Sequence, residues 1–177
     1  MGIQIGAKPD SGFDDPIGML ADCHRRIERF FNILCVVAVC ARGRGLSAEE
    51  MEAVDSALNY FHTGGQRHNA DEEQSLFPRL RRGSAVEALA ELQALENDHR
   101  RAGELHAAIE QSYHLWVDTG GLSAADEQRL IETAATLSHL YEQHIRIEEE
   151  TIFPRAARTL DKQTIEVIGE EFRARRA

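Results

Sequence analysis

The stretch from His68 to Leu80, HNADEEQSLFPRL, decides how the chain is organised, because it returns as HIRIEEETIFPRA from His144 to Ala156. His68 and His144 are 76 residues apart, as are Glu72 and Glu148, and as are Pro78 and Pro154, while His24 and His99 are 75 apart. Spacings kept this closely mean that the chain is an internal repeat, with two helices in the first half echoed by two in the second.

Outward from that phrase, glycine and proline fall in clusters and leave long stretches that read as helices. The first 13 residues, with Gly2, Gly6, Pro9 and Gly12, read as an irregular arm. A first helix is predicted from about Asp15, with Pro16 in its first turn, to near Ala41, where RGRG ends it. Ser47 to Glu50 forms a capping box for a second helix, expected to run to about Phe77 before Pro78 and Gly83 stop it, with Gly64 and Gly65 as its weak point. Ser84 to Glu87 is a capping box for a third helix, closed by DTGG at Asp118 to Gly121. A fourth helix opens at Ser123 and is expected to end near Pro154, and a short fifth covers about Asp161 to Arg173.

Within each long helix a largely apolar stripe recurs at alternating steps of three and four, as in Ile17, Leu20, His24, Ile27, Phe31, Leu34 and Ala38 of the first. No sustained period-two run competes. Short loops between long helices make neighbours antiparallel, so the fold class is all-α. The architecture is an up-down-up-down four-helix bundle with an internal two-fold repeat over residues 14–160, a short N-terminal arm (1–13) and a short C-terminal helix and tail (161–177).

Composition narrows the function classes. With 177 residues, 42% of them apolar, the chain can bury one core, and its formal charge of −10 argues against nucleic acid or an anionic membrane surface as partner. Cys23, Cys35 and Cys40 form no CxxC pair, which fits a reducing, cytoplasmic compartment. The longest apolar run, Ile33 to Ala41, is nine residues, too short to span a bilayer.

The apolar stripes contain an anomaly. His24, His68, Glu72, His99, His144 and Glu148 occupy stripe positions where leucine would be ordinary. Burying ionisable groups is costly unless they are paired or bind a metal. A histidine and a glutamate four apart share one helix face, so His68 with Glu72, and His144 with Glu148, point inward one turn apart. Joined by His24 and His99 from the facing helices, they make a two-metal arrangement of nitrogen and oxygen donors without thiolate. Such a set suits iron and would also accept manganese or zinc.

The His24 element, HNADEEQSLFP, the ENDH phrase ending at His99, and HIRIEEETIFP together resemble the hemerythrin-like, HHE cation-binding domains over about residues 14 to 160. The resemblance implies that the six residues hold two non-haem iron ions, oxo- or hydroxo-bridged, able to bind dioxygen or nitric oxide. Hemerythrins proper carry a fifth histidine one turn after the third-helix ligand, and that position here is Gly103. The remaining four-histidine, two-glutamate set is closer to the iron-centre repair type, which usually carries an N-terminal cysteine pair; the arm here has no cysteine.

Other polar residues read more plainly. His62 and His139 are expected on the surface, and His106 as a core histidine or a neighbour of the ligands. Glu73 and Glu149 are expected to pair with neighbouring arginines, Cys23 to behave as a small buried hydrophobe, and Tyr141 to pack or hydrogen-bond near the metals. Three functions compete: a di-iron protein that binds or senses oxygen or nitric oxide, an enzyme-like role in iron donation or peroxide and nitric oxide chemistry, and a metal-free helical adaptor.

Overall fold

The computed structural model describes residues 10–82 and 88–177 in full and 86–87 as backbone. It is helical, and no strand occurs among the described residues. Helix α1 (Pro16–Cys40) starts where the Asp15 side chain accepts the Gly18 N–H at 3.0 Å and Pro16 occupies the first turn. Helix α2 (48–81) opens with the expected capping box: Ser47 accepts from the Glu50 N–H at 3.2 Å, and Glu50 returns to the Ser47 N–H at 2.8 Å. Helix α3 is Val86–Thr119; the capping box expected at Ser84 lies outside the described residues. Helix α4 (124–159) is capped by Ser123, and α5 (Lys162–Ala174) by Asp161.

Two expected helix ends do not occur. Pro78 and Pro154 stop neither α2 nor α4, which continue to Arg81 and Thr159. Each proline is preceded by a widened, π-helical turn, at Glu72–Leu76 and Glu148–Ile152. There the N–H of Phe77 bonds to the carbonyl of Glu72, and that of Phe153 to Glu148, five residues back. A proline ring collides with the carbonyl four residues before it, and the wider turn moves that carbonyl aside. The weak point at Gly64 and Gly65 is likewise a π turn, Phe61–Gly65, through which the helix continues. A Cβ on Gly64 would stand 2.6 Å from the Tyr60 ring, so glycine is needed for this close approach.

Helix α1 packs on α2 and α4, and α3 packs on α4 and α2, which is the antiparallel four-helix bundle. Helix α5 lies against α1 and the π turn of α2. No helix among the described residues is long and apolar enough to cross a membrane.

Two apolar cores occupy the two ends of the bundle. One gathers Phe31, Leu34, Ile109, Trp116 and Leu137; the other gathers Leu20, Phe77, Leu95, Ile152 and Phe172. Each fully buried large side chain contributes about 1.5–3 kcal/mol, and Leu20, Phe77, Leu95, Trp116 and Phe172 are all fully buried. The polar layer sits between the two cores, as the chain order shows: on α1 His24 falls between Leu20 and Phe31, and on α3 His99 falls between Leu95 and Ile109.

Candidate metal centre

The bundle brings all six expected residues into one buried layer. His24, His68, Glu72, His99, His144 and Glu148 are each at most 9% exposed. They form two overlapping groups, His24 with His68 and His99 with His144, both sharing Glu72 and Glu148. In each group the potential ligand atoms lie within 4.8 Å of one another.

The carboxylates link the two groups. Glu72 turns Oε1 to His68 Nε2 at 3.4 Å and Oε2 to His99 Nε2 at 3.2 Å. Glu148 turns Oε2 to His24 Nε2 at 3.0 Å and Oε1 to His144 Nε2 at 3.3 Å. Yet among the described residues these four oxygens and His24 Nε2 make no hydrogen bond of good geometry. Buried polar atoms are normally satisfied, so a set of lone pairs that converge without bonding one another fits a cation. Each glutamate sits first in its π turn, so the same backbone device presents both.

The charges within the layer conflict. Burial, aided by the Glu148 charge, pushes the Glu72 carboxyl up to about 7, while Glu148 resists its own burial because His144 and His24 hold it ionised. His99 and His144 are opposed by burial but raised by their carboxylate neighbours, to about 9 and about 10. His68 goes the other way, driven well below its ordinary value by burial and by the neighbouring His24.

Behind the layer stands a set of carboxylates, two of which sequence reading assigned elsewhere. Glu73 and Glu149 were expected to pair with arginines, but they reach across helix interfaces to the outer nitrogens of the imidazoles. Glu73 meets His99 Nδ1 at 2.7 Å, and Glu149 meets His24 Nδ1 at 2.9 Å. Asp98 approaches His144 Nδ1 at 3.4 Å. A carboxylate on the far nitrogen fixes ring orientation and tautomer and raises basicity toward a metal. The signal was present in the repeat, since Glu73 and Glu149 follow the two candidate glutamate ligands, one in each half.

The remaining candidates fall outside the cluster. His62 and His139 are exposed, His62 against Glu110 and His139 against Gln143. His106 Nε2 lies 2.6 Å from the Tyr141 hydroxyl, so each engages the other rather than the cluster. Cys23 is buried, and its sulfur accepts from Arg26 Nη2 at 3.1 Å.

A cavity of about 180 Å³ connects this layer to the surface. The cluster imidazoles line it at one end, the His62 and Glu110 pair at the other, and Ile27, Leu58, Phe61 and Ile145 between. Gly103 is on its wall, and a Cβ there would meet nothing within 4 Å.

Comparison with known proteins agrees with this geometry. The chain is 26% identical over 172 residues, 93% of its own length and 91% of the relative's, to a protein of Haemophilus influenzae described as "Uncharacterized protein". The sequence profile of the Hemerythrin HHE cation binding domain matches residues 15–156. That span includes all six residues of the buried layer, and the chain belongs to the hemerythrin HHE cation-binding domain family.

Proposed function

We propose that the chain holds two non-haem iron ions in the buried layer and binds or senses dioxygen or nitric oxide there. The observation that carries this reading is the way Glu72 and Glu148 each direct one oxygen to each histidine pair. His24 and His68 would hold one ion, His99 and His144 the other, with both glutamates shared. The donor set would also take manganese or zinc. Bound iron would supply a redox-active Lewis acid with coordination positions that the protein leaves open.

The chain's own residues do the rest. Glu73, Glu149 and Asp98 orient three of the imidazoles from behind. The apolar wall of Ile27, Leu58, Phe61 and Ile145 suits an uncharged small ligand. Burial holds His106 neutral, down to about 4, and pushes the Tyr141 hydroxyl far up, so the pair adds no charge to the wall. The open space at Gly103 leaves room for the ligand's approach. Unpaired Cys23, Cys35 and Cys40 fit a reducing compartment such as the cytoplasm.

A second reading, donation of iron to damaged iron centres, uses the same cluster; the absence of a histidine at position 103 favours it. Elemental analysis of aerobically purified protein tests the shared premise. About two irons per chain with near-ultraviolet charge-transfer bands are expected, lost in Glu72→Ala and His144→Ala. Bands intact in both variants would defeat the reading.

A further inference from the structure

The internal repeat predicts how the carboxylates behind the imidazoles should be arranged, and one position breaks the prediction. Under the pseudo-two-fold relation His24 corresponds to His99 and Glu149 to Glu73, and both resulting pairs are present, at 2.9 and 2.7 Å. The same relation sends His144 to His68 and Asp98 to residue 23. Asp98 approaches His144 Nδ1, but residue 23 is a cysteine whose sulfur is engaged by Arg26. Among the described residues His68 Nδ1, fully buried, has no hydrogen-bond partner.

We infer that the two metal positions are unequal by design of this sequence, and that the ion held by His24 and His68 is the exchangeable one. This rests on the two-metal reading above. On the His99 and His144 side both rings are backed by carboxylates; on the other side only His24 is. An imidazole without a partner on its far nitrogen lacks one constraint on its orientation and is a weaker base toward the metal, and loss of such a partner lowers metal affinity by roughly 10–100-fold. Cys23 is therefore the residue that sets the difference. A centre with one firmly held and one releasable ion suits donation of a single ferrous ion to an acceptor while the scaffold stays metallated.

The test loads full-length protein anaerobically with ferrous iron to two ions per chain, checked by elemental analysis. Release to the chelator ferrozine is then followed by stopped-flow absorbance. Two phases of equal amplitude are expected, separated by about tenfold or more in rate. Cys23→Asp should slow the fast phase toward the slow one, and Asp98→Cys should speed the slow phase toward the fast one, with helicity by circular dichroism unchanged. Because the second variant alters a partly exposed position, it reports even where Cys23→Asp misfolds. Single-phase release of both ions from the native protein, or phases that neither variant moves, overturns the inference while leaving a two-metal site intact. Failure to load beyond traces overturns the metal reading, and the inference with it.

Discussion

Glu73 of α2 lies 2.7 Å from Nδ1 of His99 on α3, so a residue adjacent to one candidate ligand supports a candidate ligand on the next helix. The contact ties the layer together across two helices. Glu73→Gln keeps size and a hydrogen-bonding oxygen but removes the charge. It is expected to weaken iron binding by about tenfold or more with little change in helicity, measured by competition with a calibrated chelator. An unchanged affinity would reduce this carboxylate to a surface contact.

Iron should stabilise the fold, and more so at higher pH. Bound metal needs Glu72 ionised and the imidazoles free of ligand-side protons, whereas the metal-free layer keeps Glu72 up to about 7 and His99 up to about 9. Protons therefore compete with metal, and affinity should rise as pH increases through 7. Thermal melts with and without chelator at pH 6 and 8 check it: the gain from metal is expected to be larger at pH 8.

His106 gives the bundle an acid sensitivity of its own. Its folded value, about 4 against the ordinary 6.5, means the unfolded chain binds more protons between those limits. Stability from this group is complete above about 6.5 and is lost as pH falls toward 4, by up to about 3 kcal/mol. The difference between denaturation curves of native protein and His106→Phe should carry that slope. A pH-independent difference would show that burial of this ring is not the cause.

The C-terminal segment holds α2 through one buried acid. Asp71, 1% exposed, receives Arg175 at 2.8 Å and Arg176 at 2.6 Å. Replacing both arginines by alanine strands a buried carboxylate, at a cost of about 3–5 kcal/mol in chemical denaturation. A third change, Asp71→Asn, should recover part of the loss.

Gly103→Leu should separate stability from access. No atom lies within 4 Å of a Cβ at this site, and a helical glycine is less stable than alanine by roughly 0.5–1 kcal/mol, so the variant should fold at least as well. Its side chain would narrow the cavity and slow binding of nitric oxide to iron-loaded protein, with metal content unchanged. Equal rates would mean that ligands arrive by another route.

What the sequence made legible was periodicity. Six polar residues in apolar stripes marked the layer because a misplaced charge is conspicuous against leucine. Glu73 and Glu149 were misread because an ideal helix turns them away from the candidate ligand beside them; their partners, His99 and His24, belong to helices whose facing could not be known before the bundle was assembled. Pro78 and Pro154 were read as stops because a strict α-helix cannot pass them, and the alternative of widening one turn depends on tertiary support that no local pattern states. His106 was left between core and site, and its pairing with Tyr141 required the fold.

Those widened turns have one more effect. By closing its hydrogen bond over five residues where an α-helix closes over four, each shifts the angular phase of its helix at the glutamate. The part before the reset points histidines into the centre, and the part after it, carrying Phe77 or Phe153, is aligned to the core at the bundle's far end. Were either turn to close into a regular α-helix without losing a residue, the phenylalanine side would swing by about 100° relative to the histidine side. Chemistry and packing share a single rod, and one surplus residue at the joint, present in both halves, lets each part face its own partners.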